Sequence, residues 1–207
     1  MRRLTATSVI VLVTAAVSLA VTFFYGQNEA FMRAGFIPAR ASGIGTDFAA
    51  VPVWLTPLSS ALLHAGVLHL GMNMLMLGYT GRDTEQAVGA KGIAILYLVG
   101  AYAAAFAQWL PDPQSITPMV GASGAASAVI GAYSLLFGRS RARDLGPIPA
   151  KAVHVLWLAA GWTAINLMIG YAFMGAGVAV AAAAHIGGFV AGLLLAKPLA
   201  RWHFRIA

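Results

Sequence analysis

Six stretches of the chain are apolar almost throughout, at about residues 4–25, 59–80, 92–110, 122–138, 152–171 and 177–196, each bounded by charges or turn residues. Most reach the roughly 20 residues that a helix needs to cross a hydrocarbon core of about 30 Å. The pattern predicts an all-α membrane protein, a bundle of six transmembrane helices in one domain spanning residues 1–207. The first stretch follows Met1-Arg2-Arg3 and ends in Phe23-Phe24-Tyr25. Its unbroken length and aromatic end favour a retained anchor, with a cleaved secretory signal as the alternative. The connection 26–58 is unlike the others. It is long but carries Phe31, Met32, Phe36, Ile37, Val51, Val53, Trp54 and Leu55, which argues against disorder. It is expected to lie in the membrane interface, with Trp54 at headgroup depth.

Composition agrees with this class. Charged residues make up 9% of the 207 positions, against roughly 25% in a soluble domain, and mean hydropathy is +0.80. Such a chain cannot cover a water-facing surface. Charge placement then gives an orientation. With the first residue inside, Arg2, Arg3, Arg82, Lys91, Arg139, Arg141, Arg143, Lys151, Lys197, Arg201 and Arg205 all fall on inside connections, and only Arg33 and Arg40 fall outside. That is 11 of 13 Lys and Arg, the asymmetry that the positive-inside rule demands. Both termini are therefore expected in the cytoplasm, and the basic residues read as topology signals and contacts to anionic membrane lipid, not to nucleic acid. Cysteine is absent, which removes disulfides, thiolate nucleophiles and cysteine metal sites.

The chemistry sits where polar groups enter the apolar stretches. Gly121-Ala122-Ser123-Gly124 heads the fourth, and Ala184-His185-Ile186-Gly187-Gly188 lies deep in the sixth. An ionisable group at membrane depth faces a partner or a cavity, so His185 is either a packing histidine or part of a site. Helical rise is about 1.5 Å per residue, which puts Ser123 roughly 22 Å, and His185 and His69 each roughly 18 Å, from the cytoplasmic ends of their helices. Three separately anchored helices thus bring a hydroxyl and two imidazoles to one level, and a serine beside a histidine suggests acyl transfer. Gly124, Ala128 and Gly131 or Ala132 line one face of the fourth stretch. Ala181, Ala184, Gly188 and Gly192 line one face of the sixth, and small faces allow close helix approach. His69 and Asn73 share a face at i, i+4, while His64 stands higher. A metal site on His64 and His69 is a rival reading, against which stand the missing carboxylates and a spacing other than i, i+4. The amide of Asn73 offers a donor for an oxyanion.

Taken in order, these motifs resemble those of the rhomboid intramembrane serine proteases. The resemblance runs from Trp54 to Ala196 and rests on His64-Ala65-Gly66-Val67-Leu68-His69-Leu70-Gly71-Met72-Asn73, on Gly81 with Glu85 and Gly89, on Gly121 to Gly124, and on Ala184 to Gly188 followed by Gly192. It implies a rhomboid-like bundle with a membrane-associated first outside loop and a fifth span acting as substrate gate. By the same resemblance Ser123 is the nucleophile and His185 its general base, and His69, Asn73 and the Ser123 backbone N–H form the oxyanion hole beside Gly121. No membrane-depth carboxylate is present, so a Ser–His dyad is expected, not a triad. The family's usual aromatic four residues after the nucleophile is here Ser127, whose hydroxyl is expected to be free to hydrogen-bond His185. Trp54 is followed by Leu55 where the family often has arginine. Glu85, close to Arg82 and Asp83, reads as a solvated loop charge.

The expected activity is cleavage of peptide bonds in or near the membrane spans of protein substrates, with no cofactor and no metal, in the inner membrane of a bacterium. Two alternatives belong to other classes. A non-proteolytic rhomboid-like protein that binds membrane clients would not need both Ser123 and His185. A small transporter would show broken helices paired across an internal repeat, and none is evident. Nothing in the sequence sets an oligomeric state.

Overall fold

Thr5 starts the first helix. Its backbone is extended, and its hydroxyl accepts the Ser8 N–H at 3.1 Å, as an N-cap does. The computed structural model describes residues 4–174 and 181–206, and the regular elements among them are helices. Helix α1 is Ala6–Ala20, continued by a π turn over Val21–Tyr25. Then come α2 (Gln27–Ala34), α3 (Pro38–Ala41), a 3₁₀ turn at Val53–Leu55, and α4 (Thr56–Ser60). The long elements follow as α5 (Val67–Trp109), α6 (Ser123–Phe137), α7 (Ala150–Met174) and α8 (Ala182–Ile206).

At about 1.5 Å per residue, the 43 residues of α5 would measure roughly 65 Å, twice a hydrocarbon core. Gly89 resolves the excess. Its φ of 75° and ψ of 168° leave the helical region, a conformation that a side chain would resist, and the helix folds back there. His69 on the first limb packs against Gly121, and Ala104 on the second against Gly124, so both limbs reach the same end of α6. Gly89 itself abuts His203, towards the far end of α8. The stretches expected at 59–80 and 92–110 are therefore the two helical limbs on either side of Gly89, the first starting only at Val67 because Ser59 and Ser60 belong to α4.

Four helical segments are long and apolar enough to cross a membrane, Ala6–Tyr25, Val67–Trp109, Ala150–Ile169 and Ala182–Arg205, and Ser123–Phe137 is a shorter apolar helix. The chain is an integral membrane protein. Residues 177–180 of the last expected stretch, and the basic pair Arg2 and Arg3, lie outside the described residues. At its other end α8 continues past Ala196 to Ile206, because the exposed Lys197, Arg201 and Arg205 end the apolar surface without ending the helical hydrogen bonding.

In lipid, apolar surface gives helices little reason to associate, so packing depends on close approach. Helices α6 and α8 and the second limb of α5 pack against one another, and these three elements make the core. A Cβ on Gly188 would strike the carbonyl oxygen of Gly124, one on Gly192 that of Ala128, and one on Gly131 that of Phe189. On the other side of α8, Gly187 meets Ala103 and Ala107 of α5. Leu77, Ile93, Leu96 and Val129 fill the interior between these contacts. The small faces read from the sequence are thus the α6–α8 seam. By contrast α7 packs mainly on α8 and leaves Leu156, Trp157, Leu167 and Met168 exposed.

The connection between α1 and α5 is ordered. Phe36 and Met119 exchange backbone hydrogen bonds, and the Ala39 N–H donates to Ser115, tying it to the segment before α6. Phe36 and Ile37 are buried here, while Met32, Val53 and Trp54 face outward. The Tyr102 hydroxyl donates to the Trp54 carbonyl and the Trp109 indole to Ser42, fixing the connection to the second limb of α5.

Glu85 is not a solvated loop charge. It lies within α5, and its carboxylate accepts the Ala6 N–H and Thr7 N–H, both at 2.8 Å, and the Thr7 hydroxyl at 2.6 Å. Those N–H groups have no acceptor within α1, and the positive end of the helix dipole favours the carboxylate. Spacing along the chain gave no sign of this, because the partner is 78 residues away. Glu85→Ala is expected to destabilise the fold by roughly 1.5–3 kcal/mol through loss of bonds to a charged group. Thermal unfolding in detergent checks this, and an unchanged Tm would remove Glu85 as the anchor of α1.

Candidate active site

The site begins where the chain enters α6. The Gly121 N–H donates to the Ser60 carbonyl at 2.9 Å, and the Ala122 N–H donates to His64 Nε2 at 3.2 Å. Both bonds moor this entry to the turn that follows α4. Gly121 has φ of 119°, and a Cβ there would lie 2.8 Å from His69 Cε1, so conformation and space both require glycine. Ser123 follows as the first residue of α6, which has no side-chain cap. Its N–H is one of the donors that a helix start leaves without an intrahelical acceptor.

Ser123 Oγ lies 2.8 Å from His185 Nε2, and His185 Nδ1 lies 2.7 Å from Asn166 Oδ1 on α7. Asn166 is buried, and its Nδ2 donates to the Trp162 carbonyl at 2.9 Å. The Trp162 indole in turn donates to the His185 carbonyl at 3.1 Å and stacks on Phe189, with ring centroids 4.8 Å apart and planes 9° from parallel. Helix α7 therefore holds both the ring and the backbone of His185.

On the opposite side is His69. Its Nδ1 accepts the Ala65 N–H at 3.4 Å, which leaves the proton on Nε2. That Nε2 lies 2.9 Å from the position a Gly121 Cβ would occupy, and Ser123 Oγ lies 3.6 Å from the same point. An N–H donor thus faces the serine across the glycine. Asn73, buried one turn along α5, donates to the His69 carbonyl at 2.9 Å and keeps a second amide proton. His64, 2% exposed, stacks edge-on against His69 at 5.0 Å. With its Nε2 engaged by Ala122, His64 acts as a strut for the loop. Among the described residues no three of His, Asp and Glu gather as metal ligands would.

The structure thus gathers Ser123, His185, His69, Gly121 and Gly124 at one end of the bundle, with His64 and Asn73 behind and Gly188 in the adjoining seam. Ser127 does not join them as expected. Its hydroxyl donates to the Ser123 carbonyl at 2.7 Å, the usual bond of a helical serine to the preceding turn, and leaves His185 to Asn166. Asn166 and Trp162 are the residues that sequence reasoning missed. Counting 15 residues from Lys151 puts Asn166 about 22 Å from the end of its stretch, the level already assigned to Ser123.

Residues 52–202 match the rhomboid domain. The chain belongs to the rhomboid family. Among its relatives, the rhomboid protease GlpG of Serratia proteamaculans (strain 568) is 34% identical over 142 residues, covering 67% of this chain and 46% of that protein. The rhomboid protease GlpG of Yersinia pestis (strain Pestoides F) is 31% identical over 140 residues, with the same coverage. Rhomboid protein 1, mitochondrial, of Saccharomyces cerevisiae is 31% identical over 142 residues, covering 66% of this chain and 39% of that protein. This rhomboid spans somewhat under half the length of the relatives it matches.

A pair of glycines separates backbone strain from crowding. Gly43 also has a positive φ, 93°, but a Cβ there meets nothing within 4 Å. Alanine at either position incurs roughly 1–3 kcal/mol of backbone strain. Gly121→Ala must in addition displace the His69 ring, so its Tm is expected to fall further than that of Gly43→Ala. Equal shifts would show that the ring has room to move.

Proposed function

We propose that this rhomboid is an intramembrane serine protease that cleaves peptide bonds in or near the membrane spans of other proteins. The observation that carries the reading is the 2.8 Å contact between Ser123 Oγ and His185 Nε2, at a helix start lined by further donors. His185 Nε2 takes the hydroxyl proton as Ser123 Oγ bonds to the scissile carbonyl carbon. The carbonyl oxygen becomes an oxyanion, held by the Ser123 N–H, the Nε2–H of His69 and the free amide proton of Asn73. Collapse breaks the C–N bond, and His185 passes the proton to the leaving amine. Water, activated by the same imidazole, then hydrolyses the acyl-enzyme. Ser123 and His185 do the covalent work as a dyad.

The short α6, about 22 Å at 1.5 Å per residue, supports a water-accessible site, because its start lies below the level that a full-length span would reach. Six crossings, with both limbs of α5 counted, and the distribution of Lys and Arg support cytoplasmic termini, and the reading sets the protein in the inner membrane of a bacterium. The 26–58 connection then lies outside, against the membrane. A substrate span that unwinds near its outer end would present its peptide bond to Ser123. Chemistry is carried by this chain's own side chains, without cofactor.

Ser123→Ala and His185→Ala are each expected to abolish cleavage of a reporter membrane substrate while leaving the protein folded. Ser123→Ala should also lose labelling by a serine-directed fluorophosphonate. A purified variant of either kind with near-native turnover would overturn the dyad.

Asn73→Ala is expected to lower kcat about 10²-fold with little change in KM, the signature of a donor engaged mainly in the transition state. His69 shares the oxyanion, which keeps the loss near that lower end. A less stable variant with normal kcat would make Asn73 only a brace for the His69 carbonyl.

A further inference from the structure

The buried amide on α7 points to a positioning residue. Asn166 Nδ2 faces the Trp162 carbonyl, which can only accept, so the amide orientation is set and Oδ1 must face His185. An oxygen there can only accept in turn, so His185 Nδ1 carries the ring proton. Nε2 then holds a lone pair, and Ser123 Oγ–H is the donor in the 2.8 Å contact. Every bond in the series Trp162 carbonyl, Asn166, His185, Ser123 thus has one allowed direction. The other imidazole tautomer would set a protonated Nε2 against the serine and a lone pair against Oδ1, which is a general base with its basic nitrogen turned away.

The geometry points to Asn166 as the residue that positions His185 for proton transfer and fixes its productive tautomer, the part that a carboxylate plays in a Ser–His–Asp triad. This rests on the serine-protease reading of Ser123 and His185. It differs from a triad in charge: a neutral amide orients the ring without stabilising the imidazolium as an anion would. It differs also in anchorage, because the orienting group stands on α7, which packs chiefly on α8 and leaves much of its surface exposed. Base orientation therefore depends on α7 being docked.

The other groups facing this imidazole are few. His69, at the start of α5, stands across Gly121 from Ser123. On α6 and α8 the nearest titratable side chains are Tyr133 and Lys197, 10 and 12 residues along their helices from Ser123 and His185. On α7, His154 lies beside Gly138 at the opposite end, and Tyr171 is exposed. A charge introduced at residue 166 would consequently dominate the field at His185.

The test compares full-length wild type, Ser123→Ala, Asn166→Leu and Asn166→Asp in detergent or proteoliposomes. Asn166→Leu keeps the size and removes the acceptor, and is expected to lower kcat and the rate of fluorophosphonate labelling by about tenfold or more with KM little changed. Asn166→Asp keeps the acceptor and adds an anion, which favours the imidazolium. It is expected to retain most of kcat while moving the acidic limb of the pH–rate profile up by about one unit or more. A merely structural asparagine would change Tm without moving that limb. Wild-type kcat in folded Asn166→Leu, or an unmoved limb in Asn166→Asp, overturns the assignment, and the aspartate variant decides alone should the leucine variant fail to fold. No difference in labelling between wild type and Ser123→Ala would overturn the protease reading itself. Labelling that depends on Ser123 yet is indifferent to residue 166 overturns Asn166 alone.

Discussion

Everything in this bundle depends on how closely α6 and α8 approach. The two helices touch backbone to backbone at Gly124 with Gly188 and at Ala128 with Gly192, without an intervening side chain. Inside a bilayer this contact has to supply what apolar burial supplies in water, through dispersion and tight fit. It also decides the chemistry, because Ser123 is one residue from Gly124 and His185 three from Gly188. A seam widened by one methyl group would part the hydroxyl from the imidazole, and a proton cannot cross that gap without bond-length contact. Packing and site are thus one feature, and glycines far from any reacting atom are bound to it.

The membrane made this arrangement partly legible in the sequence. A bilayer restricts one axis, so counting residues from charged ends converts position along the chain into depth. That conversion brought Ser123, His185 and His69 to one level before any lateral contact was known, and the small-residue faces indicated which sides of two helices met. Lateral neighbours without such a face stayed hidden. Asn166 stood at the right depth, but a lone amide in a long apolar stretch carries no sign of its partner. The Ser127 hydroxyl finds an acceptor within its own helix, the Ser123 carbonyl, which a family pattern of neighbours does not reveal. The charges beside Glu85 in the chain hide its partners, which lie on α1. The two spans expected either side of Gly89 are separate limbs, because its non-helical backbone folds the chain back between them.

Two layers of support surround the serine, and they differ in rigidity. His64, the Ser60 carbonyl and Gly121 belong to a tightly tied loop that holds the start of α6 and the His69 ring. The imidazole on the far side is held from α7, which packs mainly on α8. One half of the site is therefore set by the core and the other by a peripheral element.

The carboxylate of Glu85 has a consequence for how the protein is made. Its three bonds close the start of α1, yet it is polymerised 78 residues after Thr7. At a synthesis rate of about 5–20 residues per second, α1 waits roughly 4–16 s for its cap. During that interval its first turn has only Thr5 and water or lipid headgroups to satisfy it. Glu85 stands on the first limb of α5, so its bonds to α1 form only after that limb has been made. One constraint on assembly is thus written into a single side chain: the start of α1 is closed by a residue that is synthesised after it.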